Sequence, residues 1–310
     1  MAQRVLIVGG QGRIGSAVAS DLLSHTDAEI TITGRTAAAG VPFSHARGER
    51  VHFRTLELAD SAAVFDAVGE ADLVVHCAGP FAYRAPDVLS ACIARGVTYV
   101  DVSDDRRFTR EALALCDEAA RAGITAVVNT GIFPGLSNAM VREGVEQFDD
   151  PEEIRLGYIV QGSGGAGITV MRTTFLALQH PFEAWIDGRW QSVAPYSEPE
   201  PLEIAGRRVN TYWFDMPESY TLARNFPVRS VVTKFGVDPD LYNGLTWVAA
   251  HWFPKDWLRN STLVEFLSQV SHTMTDFTDR FSGIGVSMRA EVRGRKEGRP
   301  GHFVSTLHHP

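Results

Sequence analysis

A cluster of glycines near the N-terminus follows a spacing that is typical of a dinucleotide-binding loop. Arg4–Val8 is predicted to be a short buried strand, and the loop comes directly before a helical pattern. The loop residues are Gly9, Gly10, Gln11, Gly12, Arg13, Ile14 and Gly15. Such glycines permit a tight turn, a close backbone approach to a pyrophosphate, and close packing of helix on strand. The helix offers its free N–H groups to the phosphates. A glycine-rich turn without a ligand is the alternative.

The end of the second predicted strand bears on which pyridine dinucleotide binds. Glu29–Thr33 is this strand, and Arg35 follows it, where an NAD site usually has Asp or Glu. A guanidinium can form a fork on a 2′-phosphate, so the sequence predicts NADP(H); a solvated loop charge is the alternative. Asp60, after the predicted strand Val51–Leu58, is expected either at the adenine edge or as the N-cap of a helix over Ser61–Val68.

Two domains are expected from the order of strand and helix patterns. Residues 1–130 alternate strand and helix, which predicts a Rossmann-type, doubly wound parallel sheet. The nearly all-apolar run Asp72–Cys77 is typical of a strand that is covered on both faces. Residues 131–310 show several short strand patterns between Trp185 and Phe235, with helical patterns after them. The second half is therefore predicted to be a mixed α+β domain.

Composition and missing motifs exclude several classes of function. The net charge of -8 argues against a nucleic-acid partner, because phosphate backbones require clustered positive charge. The three cysteines form no C-x-x-C pair, and no metal site is predicted. No tyrosine has a lysine four residues later, so the acid pair of short-chain dehydrogenases is missing. Without an apolar run of about 18 residues or a signal peptide, we expect a cytoplasmic protein with no membrane partner.

Four blocks of the sequence occur in an informative order. They are the glycine loop; Ala78-Gly79-Pro80-Phe81; Ala91-Cys92 through Gly96, Tyr99 and Asp101; and Pro134-Gly135-Leu136-Ser137-Asn138. This series resembles the saccharopine dehydrogenase (saccharopine reductase-like) family over residues 4–140. The glycine loop alone is shared with many folds, whereas the other three blocks together are much more specific.

The resemblance implies an NADP-linked oxidoreductase with a small-molecule substrate. Members of the family reduce an imine formed from an aldehyde and an amine or amino acid, and others reduce enoyl groups. A mixed second domain that often dimerises is implied, so we expect a homodimer. Ala78 to Phe81 would border the nicotinamide, and Tyr99, Asp101 and the turn Pro134–Asn138 would face the same crevice. Members usually continue past a strand like Phe303–Leu307, which implies that this chain is short at its C-terminal end.

Several polar residues are candidates for catalysis or substrate binding, each with a structural alternative. Asp101 could bind an amine or tune a proton transfer, or it could be a turn aspartate. Tyr99 could donate a hydrogen bond, or it could be a core tyrosine. Arg172 could hold a substrate carboxylate, or it could form a surface salt bridge. Asn138 is expected to bind substrate, and the loop Gly162–Gly167 is either a lid hinge or an ordinary connection.

The remaining alternatives concern an aromatic cluster and the class of the protein. Trp247, Trp252, Phe253 and Trp257 are expected to form a dimer surface, a pocket for a bulky substrate, or plain core. The chief rival to an enzyme is a non-catalytic NADP-binding regulator or interaction protein on a Rossmann scaffold.

Overall fold

The computed structural model describes residues 2–164, 167–204 and 206–309. The chain divides into two compact units, Met1–Gly131 and Ile132–Pro310. Within the described residues, every helix is too short or too polar to cross a membrane.

The N-terminal unit is built on a six-stranded parallel sheet. Its strands are β1 (Arg4–Val8), β2 (Glu29–Gly34), β3 (Val51–Thr55), β4 (Leu73–His76), β5 (Thr98–Asp101) and β6 (Ala126–Val127). Its helices are α1 (Arg13–His25), α2 (Ala37–His45), α3 (Ser61–Gly69), α4 (Asp87–Arg95), α5 (Arg106–Ala114) and α6 (Cys116–Arg121). The strand order is β3-β2-β1-β4-β5-β6, so the direction of winding reverses between β1 and β4. This confirms the predicted doubly wound α/β fold.

Both faces of this sheet are covered, as the apolar strands predict. Successive side chains of a strand point to opposite faces. Along β1, Val5 and Ile7 belong to one buried cluster, and Leu6 and Val8 belong to another. Helices therefore pack on both faces, and no face of β1 can carry a polar side chain without cost.

Two helical segments of this unit differ from the sequence prediction. Helix α2 lies in a stretch for which no helix was expected, and it contains Pro42. The single helix predicted over Phe108–Ala122 is two helices that meet at Leu115. Asp105 caps α5 by accepting a hydrogen bond from the Phe108 N–H at 2.8 Å, which moves the start of the helix two residues toward the N-terminus.

The C-terminal unit contains a mixed six-stranded sheet and a two-stranded hairpin. The sheet strands are β7 (Asp150–Gln161), β10 (Glu200–Ile204), β11 (Arg207–Trp213), β12 (Ser230–Asp238), β13 (Gly285–Lys296) and β14 (Arg299–His309); the hairpin is β8 (Phe182–Ile186) with β9 (Arg189–Val193). The helices are α7 (Leu136–Val145), α8 (Ile168–Ala177), α9 (Pro217–Asn225), α10 (Leu241–Trp252), α11 (Lys255–Arg259) and α12 (Ser261–Ser282). The order is β10-β11-β12-β7-β13-β14, with β7 and β12 parallel and the other pairs antiparallel. This confirms the predicted mixed domain.

The structure extends two elements of this unit and adds another. Helix α9 interrupts the region where only short strands were expected, and Pro217 occupies its first turn. The sequence pattern predicts strands over Gly285–Arg293 and Phe303–Leu307, and β13 and β14 are both longer than these. Glu297 and Gly298 join them with positive φ values of 52° and 75°, as a two-residue hairpin turn of type I′ requires.

Candidate cofactor site and crevice

The glycine loop lies where the ends of three strands approach one another closely, and three of its four glycines have no room for a side chain. Gly9 has a φ of +78°, and a Cβ there would lie 2.9 Å from the Cα of Ala78. A Cβ on Gly10 would lie 2.6 Å from the Cβ of Ile32, at the end of β2. A Cβ on Gly15 would lie 2.6 Å from the carbonyl oxygen of Gly9. The loop therefore holds the ends of β1, β2 and β4 and the start of α1 in close contact.

Helix α1 begins at this loop with its positive end uncompensated. Gly12 is the N-cap, no side chain caps the helix, and its first turn contains no acidic residue. The partial positive charge and free N–H groups of a helix N-terminus bind phosphate well. The sequence-predicted residues Arg13 and Ile14 are both exposed in this first turn. A pyrophosphate fits this cradle, because the glycines leave space that side chains would fill.

Arg35 lies next to a second helix N-terminus. It is exposed directly after β2, and no residue in the described parts of the chain forms a hydrogen bond or ion pair with its side chain. Helix α2 begins two residues later, again without a side-chain cap or an acidic residue in the first turn. The glycine loop is adjacent, because the Thr33 hydroxyl accepts a hydrogen bond from the Gly9 N–H at 3.1 Å. Gln11 packs over Gly34 in the same place. Arg35 and the start of α2 together suit a 2′-phosphate.

Asp60 has the helix-capping role that the sequence left open. Its Oδ1 accepts a hydrogen bond from the Ala63 N–H at 3.0 Å, at the start of α3. The side chain is exposed. One carboxylate oxygen of Asp60 therefore caps the helix. Contact of Asp60 with the adenine edge stays a prediction.

The segment after β4 runs beside the glycine loop. Ala78, Gly79 and Pro80 are partly exposed, whereas the ring of Phe81 is buried. That ring packs edge-on against His76 and Phe108, with centroid distances of 5.0 and 4.9 Å. The backbone of Ala78 to Pro80 is therefore the part that can border a nicotinamide, and the Phe81 ring instead anchors the segment in the core.

Tyr99 and Asp101 are brought together at the end of β5, but deep inside the unit. Both are fully buried. The Tyr99 hydroxyl donates to Oδ2 of Asp101 at 3.0 Å. Oδ1 accepts from the Ser103 N–H and hydroxyl at 3.0 and 2.7 Å and from the Asn129 N–H at 2.8 Å. Each oxygen of the carboxylate is thus occupied, and Asp101 ties the end of β5 to the segments after β5 and β6. This geometry favours a positioning role for both residues.

Burial changes the ionisation of this network. Burial raises the pKa of Asp101, although its hydrogen bonds from Ser103, Asn129 and Tyr99 oppose the rise. Burial, with the nearby Asp101 charge, raises the pKa of Tyr99 well above its ordinary value. Burial also raises the pKa of the Cys77 thiol to about 12, so the thiol is not a nucleophile at neutral pH.

His76 completes the network and was not singled out from the sequence. Its Nδ1 lies 3.1 Å from the Tyr99 hydroxyl, which already donates to Asp101; the histidine therefore donates its Nδ1–H. Its Nε2 is buried and has no hydrogen-bond partner among the described residues. Burial, with a smaller effect of the Arg84 charge, lowers the pKa of His76 to about 3, so the ring is neutral. The sequence offered one signal for His76: it is the polar last residue of an otherwise apolar strand, at the edge of the sheet where ligands bind.

Comparison with known proteins identifies the N-terminal unit. Residues 5–127 match the sequence-family model described as the saccharopine dehydrogenase NADP binding domain. The N-terminal unit therefore resembles the NADP-binding domain of this family. Its cofactor is accordingly NADP(H), as the sequence predicted, and the cradle of Gly9, Gly12 and Gly15 suits the pyrophosphate of that cofactor.

One solved structure extends the likeness of fold beyond the N-terminal unit. Apo histidine-tagged saccharopine dehydrogenase (L-Glu forming) from Saccharomyces cerevisiae superposes with a TM-score of 0.66 at 15% identity, covering 99% of this chain and 85% of that chain. The PbgP3 protein from Burkholderia pseudomallei has a TM-score of 0.32 at 15% identity, covering 41% and 58% of the two chains. A short-chain dehydrogenase/reductase from Veillonella parvula in complex with NADP has a TM-score of 0.32 at 16% identity, covering 41% and 68%. Both units thus share the fold of the yeast enzyme.

The candidates in the C-terminal unit have internal partners or a buried position. The Arg172 guanidinium donates to both carboxylate oxygens of Glu265, at 2.5 and 2.7 Å, and lowers the pKa of that acid. Arg172 therefore forms the salt bridge that was its structural alternative, and a substrate carboxylate would have to displace Glu265. The Asn138 amide oxygen is buried without a hydrogen-bond partner in the described residues, and its substrate role stays a prediction.

The loop Gly162–Gly167 is fastened at its start. Ser163 donates from its N–H and its hydroxyl to the two carboxylate oxygens of Asp279 on α12, at 2.7 and 2.5 Å. Two bonds to one acid oppose a hinge at Ser163. The following Gly165 and Ala166 lie outside the described residues, so the hinge remains a prediction for the rest of the loop.

Replacing Arg35 tests the 2′-phosphate contact within the N-terminal unit. We expect Arg35→Gln to weaken NADPH binding by about tenfold to hundredfold, because a charge-assisted hydrogen bond is lost. NADH binding should change little, since it has no 2′-phosphate. Fluorescence titration measures both. Arg54→Gln, which removes an arginine paired with Glu70 on the same unit, is the control. Unchanged NADPH affinity in Arg35→Gln would contradict the assignment.

The buried imidazole predicts a pH dependence of folding stability. An unfolded histidine binds a proton below pH ~6.5, whereas His76 in the folded unit binds one only near pH 3. Stability is therefore lost as pH falls from about 6 to about 4, by up to ~1.4 kcal/mol per pH unit from this group. Urea unfolding across this range should show a shallower pH dependence in His76→Gln. Tyr99→Phe loses the same hydrogen bond, keeps the imidazole, and should retain the wild-type slope; equal slopes in all three proteins would refute the effect.

Proposed function

We propose that this protein is an NADP(H)-dependent oxidoreductase that transfers a hydride to or from a small imine, carbonyl or enoyl compound. One observation carries the proposal: the cofactor cradle lies at the switch point between β1 and β4, beside the partly exposed backbone of Ala78–Pro80. Ligands of open α/β sheets bind in this position, outside the carboxyl ends of the strands. The family that the N-terminal unit resembles and the fold of both units support an oxidoreductase.

The burial of Tyr99 and Asp101 supports an imine as the substrate. Bound NADPH supplies a hydride from C4 of its nicotinamide. Reduction of a carbonyl also requires a proton for the oxygen, and the candidate donors Tyr99 and Asp101 are buried and bonded to each other. A protonated imine already carries its proton on nitrogen, so hydride addition to carbon yields the neutral amine directly. The chain then needs to position the reactants, which by itself contributes a large share of rate enhancement.

The same burial also favours the second candidate, a non-catalytic NADP-binding regulator. A buried Tyr99–Asp101 pair serves a sensor of NADP(H) equally well, since neither residue must reach a ligand. The two candidates differ in turnover and not in cofactor affinity. A cytoplasmic location suits both, because Cys77, Cys92 and Cys116 are all free thiols, as in reducing compartments.

Turnover of NADPH separates the two candidates. We expect purified protein to oxidise NADPH, followed by absorbance, when aldehydes are supplied together with amino acids or polyamines. Aldehydes without amines should give little turnover, because no imine forms. Gly10→Val, whose side chain would collide with Ile32, is the cofactor-site control and should abolish binding and turnover together. Tight NADPH binding with no turnover on the whole panel would favour the regulator.

We also propose that the protein is a homodimer, because two helices of the C-terminal unit expose apolar stripes. On α10 the exposed large apolar side chains are Leu241, Leu245, Trp247, Val248 and Trp252; on α12 they are Phe266, Val270, Met274 and Phe277. The buried side chains of helix α12 are Val264, Ser268 and Thr275. The Tyr242 hydroxyl on α10 donates to the Met274 carbonyl at 3.0 Å, so the helices are neighbours. The exposed Trp252, from the aromatic cluster noted in the sequence, is 75% accessible.

The extent and charge of these stripes support a second copy of the chain as their cover. Trp252, Phe266 and Phe277 alone expose roughly 400 Å², taking about 150–250 Å² for a whole aromatic side chain. The five aliphatic side chains bring the total toward the ~800 Å² that each partner contributes to a standard interface. A net charge of -8 opposes an acidic membrane surface, which attracts basic helices.

A charge placed in the α12 stripe should separate the subunits. We expect the wild type to sediment as a dimer and Phe277→Glu as a monomer, because a carboxylate would be desolvated at the interface. Val41→Glu places the same charge at an exposed apolar position of the N-terminal unit and should remain dimeric. A monomeric wild type, or a dimeric Phe277→Glu, would contradict the proposal.

A further inference from the structure

Arg84 occupies the same edge of the N-terminal sheet as the predicted nicotinamide position. It follows β4 by eight residues, directly after the 3₁₀ turn Phe81–Tyr83. The segment is held in place from two sides. The Phe81 ring is buried beneath it, and the Arg107 guanidinium donates to the carbonyl oxygens of Ala82 and Arg84 at 3.1 and 2.7 Å. Arg84 is therefore presented on a fixed backbone.

The Arg84 side chain is partly buried without a partner. Its Nε is inaccessible to solvent and donates no hydrogen bond among the described residues. No carboxylate of the described residues pairs with the guanidinium, and its only resolved electrostatic effect is to lower the pKa of His76. Arg84 as a whole is partly exposed, so an acceptor that arrives with a ligand would approach the terminal nitrogens of its guanidinium.

Two neighbouring groups, His76 and Arg107, do not offset the charge of Arg84. His76 is uncharged at neutral pH, as shown above. Arg107 pairs with Glu111 at 3.0 Å. No carboxylate of the described residues forms an ion pair with the partly buried Arg84, and in surroundings less polar than water a positive charge binds an anion more strongly than on an open surface.

We propose that Arg84 recognises a carboxylate of the substrate. The inference rests on the proposed oxidoreductase function and adds a specificity residue to it. The cofactor's own anions have other cradles, the start of α1 for the pyrophosphate and Arg35 with the start of α2 for the 2′-phosphate. The two terminal nitrogens of a guanidinium can donate to the two oxygens of a carboxylate, which gives a two-bond fork. Arg172, the candidate from the sequence, already binds Glu265 in that manner.

Binding of a simple dicarboxylate to the NADP⁺-loaded protein tests this role. We expect calorimetry to detect glutarate binding to the loaded wild type, and a Kd about tenfold to hundredfold weaker for Arg84→Gln. Arg84→Lys keeps the charge without the fork and should give an intermediate Kd. Glutaramide, the uncharged analogue, should bind wild type and Arg84→Gln equally weakly. Arg95→Gln removes an arginine that pairs with Asp66 and should bind glutarate like the wild type.

The NADP⁺ affinity of the same proteins separates the possible failures. Arg84→Gln should bind NADP⁺ as tightly as the wild type, which also shows that it is folded. A wild type that binds no NADP⁺ would overturn the proposed function itself. A wild type that binds NADP⁺ but not glutarate, or equal glutarate affinity in Arg84→Gln, would overturn the role of Arg84 alone. Loss of NADP⁺ affinity in a folded Arg84→Gln would assign the guanidinium to the cofactor and likewise overturn the proposal.

Discussion

The close approach of backbone at the ends of β1, β2 and β4 is the constraint on which the N-terminal unit depends. Gly9 lies against Ala78, Gly10 lies against Ile32, and Gly15 lies against the loop itself, so a Cβ at any of the three would collide. The same contacts lie at the switch point of the sheet, and they leave the start of α1 open to phosphate. The packing of the strand ends and the binding of the cofactor therefore depend on the same glycines, and a side chain in the loop would damage both.

The hydrogen-bond network around Asp101 fixes the ends of strands at the ligand edge of the sheet, although its own polar groups are buried and bonded to one another. A buried carboxylate that accepts four hydrogen bonds is costly to leave unpaired, so the segments after β5 and β6 are fixed relative to each other. Tyr99 and His76 extend this network under the strand ends. Polar residues at the ligand edge of a sheet thus divide into those that face the ligand and those that hold the edge in place.

The local sequence pattern was sufficient to predict the elements that have a clear periodicity. It was insufficient where tertiary packing determines the secondary structure. The strands of the N-terminal sheet and the glycine loop follow from apolar runs and spacing. Helix α2 lacks such a signal, because it contains Gly40 and Pro42; Gly40 is buried where the Phe53 ring leaves no space for a Cβ. Helix α9, with Tyr220 and Thr221, has residues that favour strands. Burial against neighbours overrides such preferences, and a single sequence does not contain the neighbours.

The roles of the arginines depend on the same long-range information. The partner of Arg172 lies 93 residues further along the chain, so no spacing rule could have shown that its fork is filled. Arg35 and Arg84 look no different in the sequence, yet both lack acidic partners among the described residues. A guanidinium is available to a ligand when no carboxylate of the folded protein lies close enough to pair with it. A fixed backbone then holds it in place for the ligand. Which arginines can recognise a charged ligand therefore depends on which ion pairs form during folding, and the arginines that folding leaves without an acidic partner at the sheet edge are the ones a ligand can use.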